Sequence, residues 1–135
     1  MTAVLVDSNV LLDVMTGDPV WLSWSSAALE QAASTSRLVI NAIVYAEVSA
    51  RYSRIEDLEA ALPVGMIERE PIPYAAAFLA AKAFLVYRRR GGTKQSPLPD
   101  FFIGAHAAVA GYRLLTRDTA RYRAYFPTLG LICPD

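Results

Sequence analysis

Residues 3–15, AVLVDSNVLLDVM, decide the fold class. AVLV at 3–6 is a short, β-rich apolar run, and it stops at a carboxylate, Asp7. Ser8 or Asn9 then caps a segment, NVLLDVM, whose apolar residues Val10, Leu11, Val14 and Met15 have helical spacing. A buried strand that turns directly into a helix opens an α/β unit. The rest of the chain repeats that alternation.

Gly17, Asp18 and Pro19 break the first helix. Pro19 suits a helix start, and PVWLSWSSAALEQAAS reads as an amphipathic helix to about Ser34. RLVIN at 37–41 is a second buried strand. IVYAEVSARYS follows as a helix, with Val44, Val48 and Tyr52 forming a core stripe. IEDLEAAL is a short helix ended near Pro63, and GMIERE a weaker strand. Pro71 and Pro73 lead into a long helix, YAAAFLAAKAFLVYRRR, ended by Gly91-Gly92. GGTKQSPLP is a flexible connection, and DFFIGAHAAVAGY a helix with Asp100 at its start. RLLT at 113–116 is a strand, RDTARYRAYF a helix beginning at Asp118, and GLIC a last short strand. This order predicts a three-layer α/β/α fold over residues 1–135, with a central parallel sheet of four or five strands covered on both faces. No repeat or interdomain linker interrupts it.

The 135 residues are 54% hydrophobic and 19% charged, enough to bury a core, which argues against disorder. The one cysteine, Cys133, excludes a disulfide framework and a cysteine-based zinc site, and a reducing cytoplasm is the expected compartment. MTAVLVDSNV lacks the basic start of a signal peptide. Lys82 breaks the most apolar window, so a buried helix is expected there and no membrane partner. Net charge is zero but unevenly spread. Residues 1–87 hold five Lys/Arg against ten Asp/Glu, a net −5, and residues 88–135 hold eight against three, a net +5. A basic half beside acidic positions suits a polyanionic substrate.

Four acids stand alone in apolar or small-residue surroundings: Asp7, Glu47 in NAIVYAEVSA, Asp100 in SPLPDFFIGAH and Asp118 in RLLTRD. Lone carboxylates in such surroundings are costly to bury without a partner. Asp7 and Asp118 follow strands, and ligand sites in open α/β sheets lie beyond the carboxyl ends of the strands. A shared pocket for the four would be neutralised by a hard divalent cation, Mg²⁺ or Mn²⁺. Asp7 and Asp100 are the expected direct ligands, and Asp118 binds directly, through water, or at a second metal. Glu47 orients a water or accepts its proton.

VLVDSNVLLD, the mid-chain AEV, SPLPDFFIGAHA and LLTRD, in this order, resemble a PIN-domain protein, and within that superfamily the VapC-type toxins of toxin–antitoxin pairs. The resemblance runs from the first strand to Asp118. It implies a ribonuclease that uses Mg²⁺, with Mn²⁺ as the alternative, and hydrolyses RNA phosphodiester bonds. Asp7, Glu47, Asp100 and Asp118 match its acidic quartet, and Thr116 matches a small hydroxyl residue beside the fourth acid. It also implies a homodimer held inactive by a cognate antitoxin.

Other residues carry two readings each. Asn9 is a cap or a hydrogen-bonding member of the site, and Arg117 an RNA contact or half of a surface ion pair. Arg88, Arg89 and Arg90 either complement a helix dipole or hold phosphates, Arg90 being the one assigned to substrate. His106 is expected to be structural, Asp13 to face away as a surface or cap residue, and Glu68 and Glu70 to lie solvated on a sheet edge. Trp21, Trp24, Tyr45 and Tyr52 are expected in the core or at a dimer contact rather than stacked on bases. A phospho-receiver would need a lysine after the last strand, and GLICPD has none; a haloacid-dehalogenase-type phosphatase would need D-x-D where Asp7-Ser8-Asn9 stands. A non-catalytic PIN-like module that only binds RNA or protein is the remaining alternative.

Overall fold

A computed structural model describes residues 2–62 and 65–135. Its five strands are β1 (Ala3–Val6), β2 (Arg37–Ile40), β3 (Ile67–Arg69), β4 (Arg113–Leu115) and β5 (Leu131–Ile132). They form one parallel sheet in the order β3-β2-β1-β4-β5. All four residues of β1 are buried, as expected of a central strand covered on both faces. Leu5 aligns with Val39 on one side and Leu114 on the other, so the mid-sheet is a continuous apolar layer.

Seven helices are described: α1 (Ser8–Thr16), α2 (Leu22–Thr35), α3 (Ala42–Ser49), α4 (Ile55–Ala61), α5 (Tyr74–Arg89), α6 (Pro99–Ala110) and α7 (Ala120–Tyr125). The fold is the expected α/β/α arrangement, with five strands. Small residues let its helices approach. Ala76, Ala80 and Ala83 line the buried face of α5, which lies along α6. Gly104 of α6 faces Phe126, whose ring would stand 2.6 Å from a Cβ at that position. That contact brings α7, and Tyr122 on it, close over α6.

Several boundaries differ from the sequence-based expectation. Asp7 itself caps α1, accepting from the Ser8 N–H at 2.8 Å. Pro19 does not start α2; the Asp18 carboxylate accepts from the Val20 and Trp21 N–H groups, and the helix begins only at Leu22. α3 ends at Ser49, short of Tyr52, which still lies partly buried against the core. α7 begins at Ala120, so Asp118 sits in a loop. Pro63, the expected terminator of α4, lies outside the described residues. Among the described residues no helix is long and apolar enough to cross a membrane.

The strand order reverses at β1, which lies between β2 and β4, and that is the switch point. Asp7 leaves β1 and Thr116 leaves β4 next to each other at the carboxyl edge, where the Asp7 N–H donates to the Leu115 carbonyl at 2.9 Å. A topological switch point is where such sheets form their ligand crevice.

Candidate active site

Asp7 is the innermost of the four acids, 4% exposed. Its Oδ1 accepts from the Ser8 N–H, and its Oδ2 from two hydroxyls, Thr116 Oγ1 and Tyr122 Oη, each at 2.9 Å. A carboxylate offers about four lone-pair positions. Three are occupied here, which leaves one on Oδ1 for a ligand.

Thr116 fixes this arrangement because its capacity is complete. Its oxygen accepts from Asn9 Nδ2 at 3.2 Å and from the Asp118 N–H at 3.1 Å. The single hydroxyl proton then goes to the charged Asp7 rather than to the Asp118 carbonyl, 3.1 Å away, because bonds to ionised acceptors are stronger.

Glu47 comes in from α3. Asn41 caps that helix, accepting from the Ile43 and Val44 N–H groups at 3.0 Å, and so sets its angle at the end of β2. Ser8 Oγ donates to Glu47 Oε1 at 3.0 Å, tying α1 to α3 across the site. Asp100 enters from the first turn of α6, with Oδ1 3.4 Å from Tyr122 Oη. Asp118 is exposed in the loop after β4, and its charge acts on both Asp7 and Asp100. A cavity of about 380 Å³ is lined by Asp100, Asp118, Ala120 and Arg121. A roomier apolar cavity of about 610 Å³, lined by Leu11, Met15, Leu29 and Leu38 among others, contains none of the four acids.

The electrostatics follow from this crowding. Burial pushes the Asp7, Glu47 and Asp100 carboxyls above their usual range, and mutual repulsion adds to it. Desolvation is the larger cause for each of the three. Burial and the adjacent acids raise the Tyr122 phenol, which stays protonated and serves as a donor.

Among the described residues no three acidic, His or Cys side chains converge tightly enough to hold one ion between them. Mg²⁺ does not need that, since it keeps several waters and takes one or two carboxylates directly. Hard oxygen donors, an open acceptor position on Asp7 and raised carboxyls that a cation would relieve all fit such an ion. Tyr122→Phe is expected to weaken Mn²⁺ binding about 10- to 100-fold, the usual effect of losing a group that orients a ligand, while the melting temperature stays near wild type. Titration calorimetry checks the first and a thermal melt the second.

The four acids therefore come together, while the residues assigned to substrate fare differently. Thr116 is fully buried, so it orients Asp7 and the Asp118 loop instead of touching substrate. Asn9 is half-buried and acts on Thr116, while its Oδ1 accepts from the Arg117 N–H at 3.4 Å. Arg117 is turned away from the acids. Its Nε and Nη2 reach Asp13 at 2.7 and 3.0 Å, and its guanidinium lies over Trp21. Arg90 is exposed and covers the Tyr125 ring at 5.1 Å.

Asp13 corrects the surface reading outright: it is 2% exposed, held by the Arg117 fork and by Ser25 Oγ at 2.7 Å. Glu70 is likewise not a solvated edge acid. It accepts from Tyr112 Oη at 2.8 Å and faces Arg37 and His106. Glu68 is exposed on edge strand β3 and pairs with Arg37. His106 is buried, and because the Asn41 oxygen caps α3, Asn41 Nδ2 must donate to His106 Nδ1, 3.0 Å away. Burial holds that imidazole below its usual pKa, so it is a neutral structural group.

Tyr122 and Arg121 escaped the sequence reading as site members. Tyr122 and Phe126 form an ordinary helical stripe, and only the convergence of β1 with α7 distinguishes one as a hydrogen-bond donor.

The PIN domain family profile matches residues 4–127. No curated protein matches the chain's sequence. Among solved structures, the chain is similar to VapBC2 from Rickettsia felis bound to a DNA fragment from their promoter, with TM-score 0.76, 18% identity, and 99% of this chain and 100% of that chain covered. It is also similar to a toxin–antitoxin complex from Klebsiella pneumoniae, with TM-score 0.68, 25% identity, and 96% and 95% covered. Mycobacterium tuberculosis VapC20, described as a Sarcin-Ricin loop cleaving toxin, matches with TM-score 0.62, 15% identity, and 90% and 94% covered.

Proposed function

The chain belongs to the PIN-domain family, and from that premise we propose that it is a divalent-metal-dependent RNA endonuclease, the VapC-type toxin of a toxin–antitoxin pair. The observation that carries this reading is the gathering of Asp7, Glu47, Asp100 and Asp118 at the carboxyl edge between β1 and β4. The likeness to toxin–antitoxin complexes supports a cognate antitoxin as partner. RNA as substrate, a homodimer and a cytoplasmic location belong to the same proposal.

Asp7 and Asp100 would hold Mg²⁺ or Mn²⁺, with Asp118 directly or through water. When bound, the ion would neutralise phosphate charge and make a coordinated water more acidic. The chain's own groups do the rest. Tyr122 and Thr116 keep Asp7 Oδ2 hydrogen-bonded, so that only Oδ1 faces the site. Glu47 has its Oε1 engaged by Ser8, and its Oε2 accepts a proton from the attacking water. The raised carboxyl of Glu47 suits that role, because a base is most effective when its pKa approaches the working pH.

Purified protein is expected to cut RNA with Mg²⁺ or Mn²⁺ and to stop when the ion is chelated. Cleavage should rise with pH through the raised range of Asp7 and Asp100, since only ionised carboxylates bind the ion. Gel mapping of cleaved RNA across pH checks both. RNA binding with no metal-dependent cleavage would favour the non-catalytic alternative.

A further inference from the structure

We infer that Arg121 is the phosphate-binding residue of this site, gripping the RNA backbone beside the acids while one face of its guanidinium lies over an aromatic shelf. The inference rests on the RNA-cleaving reading and adds to it the group that attracts a polyanion to a pocket of four carboxylates. Such a pocket repels RNA unless a cation stands in it.

Three observations point to Arg121. Its Nη1 lies 3.7 Å from Asp100 Oδ2, a Coulombic pair too long for a hydrogen bond, so the five N–H donors of the fork are not occupied by that carboxylate. Its guanidinium carbon lies 6.0 Å from the Tyr87 ring and 5.9 Å from the Phe101 ring, which hold the side chain on one side while it remains 40% exposed. It also lines the open cavity together with Asp100 and Asp118. The two arginines assigned to substrate from the sequence are engaged elsewhere, Arg117 with Asp13 and Arg90 with the Ala124 carbonyl at 3.4 Å. A planar fork with free donors, next to where a metal would sit, matches a phosphate bidentately.

The same placement makes Arg121 a competitor for the metal site. Its charge partly satisfies Asp100 when no ion is bound, and phosphate takes over the fork when an ion and substrate arrive. Removing it should therefore shift the two ligands in opposite directions, which a purely structural role would not do.

The test measures fluorescence anisotropy of a short labelled oligouridylate against salt, in the Glu47→Gln background to limit cutting, with Arg121→Gln added. Expected are RNA binding at least about tenfold weaker, a salt slope smaller by about 0.7, one single-strand phosphate contact, and Mn²⁺ binding roughly two- to fivefold tighter by calorimetry. Arg121→Lys, which keeps the charge and loses the fork, should keep the slope and recover part of the affinity; it also serves if Arg121→Gln fails to fold. Arg54→Gln, at an exposed arginine paired with Glu56, is the control for lost net charge. Equal slope and affinity in Arg121→Gln and Arg54→Gln would overturn the inference and leave the nuclease reading standing. A parent protein that binds no RNA at all would overturn both.

Discussion

Asp7→Asn protein is expected to fold, to lose most of its response to Mn²⁺, and to cut RNA at least about 10³-fold more slowly, the scale of losing one fixed charge-stabilising group. The fold should survive because every partner of Asp7 has an alternative. An asparagine oxygen can accept from the Ser8 N–H as Oδ1 does now. Its amide would face Tyr122, whose hydroxyl can turn to accept from it, and Thr116, whose oxygen already accepts from Asn9 and Asp118. Thr116 can then donate to the Asp118 carbonyl at 3.1 Å, and Tyr122 to Asp100 at 3.4 Å. What asparagine cannot supply is the negative charge.

The pH behaviour of the same variant has a definite sign. The Asp7 carboxyl is raised in the folded chain, so the folded state holds its proton at pH values where the unfolded state has released it. Without metal, wild type bears the burden of a buried charge at neutral pH. It is relieved as pH falls through the raised folded value, and relief is complete below the ordinary value of 3.8. Asp7→Asn should therefore melt higher than metal-free wild type at neutral pH, and the gap should narrow on acidification. Mn²⁺ should close the gap at neutral pH by raising wild type alone. Melts with and without Mn²⁺ across pH check this; a gap that widens on acidification would contradict it.

The second large effect is on stability. Arg117→Ala is expected to lower it by about 3 kcal/mol, near the bottom of the range for breaking a buried pair, because Arg117 itself is 28% exposed and water can follow it in. Asp13, 2% exposed in the intact chain, would keep only Ser25 Oγ as a side-chain partner. For a domain of this size the melting temperature should fall by about 10 °C. Asp13→Asn should be milder, since its amide can still bond Ser25 and the freed arginine can reach solvent. Denaturation of both variants checks the asymmetry; Asp13→Asn matching or exceeding Arg117→Ala would refute it.

The fold was legible because its signals are local. AVLV and RLVI are short apolar runs ended by capping residues, and Asp7 and Asn41 each begin a helix at a strand's end. The acid quartet was legible for the same reason, each member being an isolated carboxylate in apolar surroundings. Asp13 was misread because helical spacing puts it off the Asp7 face and says nothing of Arg117, 104 residues later, which makes its burial tolerable. Glu70 was misread likewise, since its hydroxyl partner Tyr112 is 42 residues away. Tyr122 and Arg121 were invisible because their roles depend on how closely α7 descends on α6, a distance set by a glycine opposite Phe126.

On the proposed toxin reading, the order of the strands also bears on when the protein becomes dangerous to the cell that makes it. β1 lies between β2 and β4, and Asp7 is bonded to Thr116 and Tyr122, which follow it by 109 and 115 residues. A growing chain on the ribosome has Asp7 and Glu47 early but no fourth strand to set beside them. Fragments that end before β4, whether from interrupted synthesis or from proteolysis, would lack Thr116, Asp118 and Tyr122 and leave an open sheet edge where β4 belongs. On the nuclease reading, the chain is harmless until Thr116 and Tyr122 have been translated and set against Asp7.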